Sequence, residues 1–147
     1  EIRCAYVELG EPGLPHLTVE LPELAETTDD DLRALARALR DHPALPKGAN
    51  VNFYTLTGTD EVLIRTYERG VEDFTCACGT GTGAVVSVLT LAGRVSGTAV
   101  RVKMRGGVLT MDVTARDGTA RDLFLTGPAR LVARGEVFPE ELLKNEI

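Results

Sequence analysis

Phe74-Thr75-Cys76-Ala77-Cys78-Gly79-Thr80-Gly81-Thr82-Gly83 runs directly into Ala84-Val85-Val86-Ser87-Val88-Leu89-Thr90-Leu91-Ala92. Residues 82–92 are apolar nearly all round and end at Gly93-Arg94, which predicts a buried helix with a glycine C-cap. The β-branched Val85, Val86 and Val88 favour a buried strand instead. Eleven residues are long for one strand, so the helix is the preferred reading. With a helix here, the chain reads as α+β rather than as an all-β sheet.

Upstream, residues 2–9 and 14–21 read as strands around the turn Gly10-Glu11-Pro12-Gly13, with Pro15 confined to the start of the second. Thr28 precedes Asp29, Asp30 and Asp31, and Leu32, Leu35, Ala36 and Leu39 recur at helical spacing until Pro43. This predicts an amphipathic helix whose aspartates sit at the positive end of its dipole and whose Arg37 and Arg40 sit at the negative end. Residues 50–56 and 61–67 flank Thr57-Gly58-Thr59-Asp60 as an antiparallel hairpin. Downstream, residues 97–104, 108–113, 123–126 and 130–134 continue the β pattern, separated by Arg105-Gly106-Gly107, Asp117-Gly118 and Gly127-Pro128. No repeat, linker or low-complexity tract divides the 147 residues, which suit a single domain.

A hydrophobic content of 44% with 26% charged residues is that of an ordinary globular protein. Sixteen Lys and Arg against 22 Asp and Glu give a net charge of -6, which disfavours non-specific binding to nucleic acid or anionic lipid. The longest apolar run, residues 84–92, is far short of the roughly 20 residues that span a bilayer. Three cysteines are few and odd in number, and no secretory leader opens the sequence, so a cytoplasmic setting is expected. The sequence opens at Glu1 within a strand pattern, which raises the expectation that it starts partway into a longer polypeptide.

The loop before the apolar helix is where chemistry is expected. Backbone N–H groups around Gly79 to Gly81 would open a helix N-terminus, a setting that holds an anion. The same dipole would favour a thiolate, drawing Cys78 below its ordinary value of about 8.5 and making it a candidate base. Gly79-x-Gly81-x-x-Ala84 matches a dinucleotide fingerprint in form, but no buried parallel strand precedes it and residues 101–103 supply no acid for a ribose. The Gly-Lys-Ser/Thr of a phosphate loop is absent. Cys76-x-Cys78 lacks soft partners at ligand spacing, since only Cys4, His16 and His42 remain, so no metal is expected. The plain alternative is a glycine-rich turn with small buried cysteines. Asn50 and Asn52 share one strand face and need partners. Glu68-Arg69 is suited to a zwitterion, or equally to a solvated strand end. For His16 and His42 a structural role is the default.

Four blocks carry a resemblance: Gly48-Ala49-Asn50-Val51-Asn52-Phe53, Arg65-Thr66-Tyr67-Glu68-Arg69-Gly70-Val71, Ala77-Cys78-Gly79-Thr80-Gly81 and Leu125-Thr126-Gly127-Pro128-Ala129. Together and in this order they resemble the C-terminal half of the diaminopimelate epimerase family. The resemblance implies a mostly antiparallel sheet, or barrel-like wrap, around the central apolar helix, forming one half of a pseudo-symmetric two-domain enzyme. It implies inversion of an amino-acid α-carbon by two cysteines without any cofactor, most simply of LL- to meso-diaminopimelate in lysine biosynthesis.

By the same resemblance Cys78 is one acid/base, Gly79 and Thr80 donate backbone N–H groups to the α-carboxylate, and Asn50, Glu68 and Arg69 contact the substrate. His16 corresponds to the histidine of a Gly-Asn-Pro-His segment, although here Gly10-Glu11-Pro12-Gly13-Leu14-Pro15 precedes it. The expected partners are a small amino-acid substrate and an N-terminal domain that this sequence does not contain, with a homodimer left open. Two other readings stay open: a racemase of another amino acid or a phenazine-biosynthesis-like isomerase, and a non-catalytic ligand-binding module.

Overall fold

A computed structural model describes residues 3–136. In chain order the elements are β1 (Cys4–Leu9), β2 (Leu14–Glu20), α1 (Asp29–Arg40), β3 (Asn50–Gly58), β4 (Glu61–Glu68) and β5 (Asp73–Phe74). They continue with α2 (Gly79–Leu91), β6 (Val100–Met104), β7 (Gly107–Arg116) and β8 (Thr119–Thr126). All eight strands join one sheet in the order β1-β2-β3-β4-β6-β7-β8, with the short β5 paired to β4. Neighbours are antiparallel except at β2–β3 and β4–β6, which run parallel.

The sheet curls round α2, which packs against β1, β2 and β3 on one side and β7 and β8 on the other. Val85, Val86 and Leu89 of α2 meet Tyr54, Val62, Ile64, Val100, Val102 and Met111 in one core cluster. The expected wrap around an apolar helix is therefore present. Helix α1 covers the outer face of the sheet, where Leu32 and Ala36 join Leu17, Val19, Val51, Phe53 and Tyr67 in a second cluster. Arg94, just past α2, forms a two-pronged pair with Glu20 at 2.6 and 2.7 Å and ties that end of the helix to β2.

Two sequence expectations need correction. Residues 130–134 form no strand: they lie beyond β8 with no ladder partner among the described residues and are exposed. Gly127-Pro128 ends the alternation, and an isolated β pattern with no edge to join gains no hydrogen bonds. Helix α2 begins at Gly79, not at residue 82, because tertiary packing overrides the poor helix propensity of its glycines.

Candidate active site

Side-chain alternation along β3 and β4 divides the sheet into two faces. On the face toward α2, Asn50, Asn52 and Tyr54 follow one another along β3, while Ile64, Thr66 and Glu68 do so along β4. The C-terminal part of α2 meets the apolar members. Its N-terminal end meets a polar floor: His16 pairs across β2–β3 with Asn50, and Asn52 pairs across β3–β4 with Thr66. All four are buried. Asn52 Oδ1 accepts the Thr66 hydroxyl at 2.9 Å, and Asn52 Nδ2 lies 3.2 Å from His16 Nδ1.

Cys78 sits over this floor as the N-cap of α2, in extended conformation. Its Sγ accepts the Gly81 N–H at 3.3 Å and lies 3.6 Å from Thr80 Oγ1. The Thr82 hydroxyl donates to the Cys78 carbonyl at 2.9 Å and closes the turn. As first-turn residues, Gly79 and Thr80 have N–H groups without an intrahelical acceptor, which leaves them available to an anion. Gly81 is required by close approach: a Cβ there would collide with Asn52 Oδ1 and lie 3.2 Å from both Cys78 Sγ and Thr66 Oγ1.

The expected lowering of the Cys78 pKa is overturned. Burial pushes the thiol up from its ordinary value, and the Glu68 carboxylate adds to the rise; Thr80 and the Gly81 N–H oppose it without prevailing. Desolvation disfavours the thiolate more than one helix turn favours it. Cys78 therefore rests protonated at neutral pH.

Glu68, at the end of β4, accepts the Thr75 hydroxyl at 2.6 Å. Asn50 Oδ1 accepts the Arg69 backbone N–H at 2.8 Å and so fixes the Glu68-Arg69 corner. The exposed Arg69 guanidinium donates to the Lys47 carbonyl. His16 is driven down to about 4, first by burial and then by the Arg69 charge, so the ring is neutral. A cavity of roughly 560 Å³ opens at the start of α2, lined by Glu8, Leu9, Gly79, Thr80, Leu123 and Leu125; of the expected residues only Gly79 and Thr80 line it. A cavity of similar size, lined by Asp29, Arg65, Thr75 and Arg105, holds none of the expected residues.

The family model for diaminopimelate epimerase matches residues 10–132. The chain belongs to the diaminopimelate epimerase family. It is 36% identical over 134 residues to the diaminopimelate epimerase of Chlorobaculum tepidum, covering 91% of this chain and 49% of that protein. It is 39% identical to that of Aquifex aeolicus, covering 88% of this chain and 45% of the relative. The chain thus spans about half the length of the curated relatives it matches. Among solved structures, a probable proline racemase from Agrobacterium radiobacter K84 superposes with a TM-score of 0.59 at 18% identity, over 86% of this chain and 41% of that one. That likeness is one of fold.

Within this family fold, Cys78, Gly79 and Thr80 stand together at the helix start, with Glu68 close enough for its charge to act on the thiol. Asn50 and Arg69 share the adjoining corner. No hydrogen bond joins His16 to Cys78 among the described residues; Asn52 and Gly81 lie between them. Three residues of the site stand outside the sequence expectations for it, which already pair Asn52 with Asn50. Thr66 has a local signal, since it lies two positions before Glu68 and so on its face. Thr75 and Glu8 have none, because their approach depends on how β5 and β1 pack. Among the described residues no group of three His, Cys, Asp or Glu is gathered to hold a metal. No helix among them is long and apolar enough to cross a membrane.

Proposed function

We propose that this chain forms the C-terminal half of a cofactor-independent amino-acid epimerase and supplies Cys78 as one of its two acid–base thiols. The substrate favoured by family membership is diaminopimelate, inverted from the LL to the meso form in the cytoplasm. The observation that carries the reading is a buried cysteine at a helix N-terminus whose pKa burial raises, flanked by the first-turn N–H groups of Gly79 and Thr80 and by Glu68.

Inversion needs a base on one face of the α-carbon and an acid on the other. The α-carboxylate of the substrate binds the Gly79 and Thr80 N–H groups at the positive end of α2, where charge that develops on deprotonation is stabilised. A thiolate supplied by the other half takes the α-proton. Cys78 delivers its S–H proton to the opposite face and becomes the thiolate, so one proton leaves and one arrives. Glu68, Arg69 and Asn50 hold the remaining polar groups, with Arg gripping carboxylate and Glu taking ammonium. Closure of two halves over the site excludes water from the charged intermediate.

A racemase of another amino acid is the second reading, favoured by the altered turn that contains Gly10, which itself lines the cavity. Competition binding with diaminopimelate, proline, histidine and glutamate separates the two. The test of the primary reading is deuterium uptake from heavy water at the substrate α-carbon, measured on the polypeptide that carries both halves. Cys78→Ser should reduce inversion by about 10²- to 10⁴-fold; inversion at the unaltered rate would contradict it.

A further inference from the structure

We propose that Asn52 is a positioning residue that holds His16 in its Nε2–H tautomer and so presents a neutral hydrogen-bond donor, with no partner of its own, beside the active corner. The inference deepens the epimerase reading and rests on it only for the use to which that donor is put. The tautomer itself follows from the buried geometry.

The orientation of the Asn52 amide is fixed by its neighbours. Nδ2 lies 3.3 Å from the Leu17 carbonyl and 3.3 Å from the Asn50 carbonyl, and both can only accept. The NH₂ group must therefore face them, which leaves Oδ1 to accept from Thr66. The same NH₂ group stands 3.2 Å from His16 Nδ1. A proton on Nδ1 would set two donors against each other in a buried site, so Nδ1 is bare and the ring proton sits on Nε2. His16 is completely buried, and its Nε2 has no hydrogen-bond partner among the described residues.

A buried donor left without a partner is costly unless a ligand uses it. An anionic oxygen or carbonyl of the substrate is the complementary chemistry. Arg69 is the charged group whose field reaches the ring, and as a cation it also disfavours the imidazolium. Thr66 and Gly81 complete the arrangement: the first pins Oδ1, and the second leaves the space that Oδ1 occupies beneath the Cys78 turn.

Long-range ¹H–¹⁵N NMR of the full chain labelled at histidine reads the tautomer directly. His16 of the unaltered chain should show a bare Nδ1 and a protonated Nε2 across neutral pH. Asn52→Asp places an acceptor against Nδ1, so the proton should move to Nδ1 and the ring should titrate at higher pH. Asn52→Leu should leave a mixture of tautomers. An Nδ1–H tautomer in the unaltered chain would overturn the proposal without requiring any variant to fold, as would an unchanged tautomer in a folded Asn52→Asp chain. None of these readouts uses activity, so they stand apart from the deuterium-uptake test. In the polypeptide carrying both halves, Asn52→Asp should shift the pH profile of kcat, whereas a purely structural residue would lower stability and leave the profile in place.

Discussion

The two helices have nearly equal lengths and opposite starts. α1 opens with a capping box: the Thr28 hydroxyl accepts the Asp31 N–H at 3.2 Å, while the Asp31 carboxylate accepts the Thr28 N–H at 2.9 Å. The bonds from Thr28 hold Asp31 below its ordinary carboxylate range. α2 opens with Cys78, a residue outside the preferred caps, whose burial, helped by the Glu68 charge, raises its pKa. Each cap accepts the N–H three residues on; in α1 an exposed carboxylate reciprocates, whereas in α2 the cap is buried and the first two residues, Gly79 and Thr80, line a cavity. An exposed, reciprocally capped helix start and a buried one with a raised-pKa thiol thus stand within one chain.

The contrast breaks most sharply at Cys78. Cys78→Ser provides a better cap, so thermal unfolding should occur at the same temperature or higher, while inversion in the two-half polypeptide falls by about 10²- to 10⁴-fold. A variant that lost stability and activity together would make Cys78 a structural cap like Thr28.

The next effect is the pH dependence of the floor under α2. The folded-state pKa of His16 is about 4 against an ordinary 6.5. Between these values the unfolded chain binds the proton and the folded chain resists it, so stability rises with pH through this window. The contribution is present above 6.5 and is lost as pH falls towards 4, about 3 kcal/mol in all. Urea unfolding at pH 7 and pH 4 measures it, and His16→Gln should remove most of the slope. No comparable window is expected from the α1 cap, whose groups are exposed.

Gly81→Ala should cost about 1–3 kcal/mol through overpacking against Asn52 and should also displace the Cys78 turn. Thr28→Ala should cost about 1 kcal/mol and leave inversion unaltered, the smallest and purely structural effect. Chemical denaturation of both variants places them on one scale.

The same contrast explains what the sequence revealed. α1 was fully legible, because its cap residues, aspartates and apolar spacing are local signals. α2 was legible in its apolar run but not in its first turn, since Gly79 and Gly81 argue against helix until Leu125 and Asn52 pack against them. The hairpin β3–β4 and the meander β6–β7–β8 followed from turn residues. The parallel pairings β2–β3 and β4–β6 did not, because no local pattern specifies which distant strand becomes a neighbour. Cys78, Gly79, Thr80, Asn50, Glu68 and Arg69 were all singled out as candidates; in the structure Cys78, Gly79 and Thr80 open α2 with Glu68 acting on the thiol, and Asn50 holds the Arg69 backbone next to Glu68. The direction of the Cys78 shift was misjudged because a dipole can be inferred from spacing, whereas burial needs the surrounding sheet.

The pH dependence of iodoacetamide alkylation at Cys78 tests the resting state of the thiol most directly. Peptide mapping resolves it from the exposed Cys4 and Cys76. Cys78 should alkylate slowly at neutral pH and accelerate only above the ordinary thiol range, and Glu68→Gln should move that rise to lower pH. A Cys78 that titrates at or below the ordinary thiol value, with no response to Glu68→Gln, would contradict a buried thiol held protonated as the proton donor.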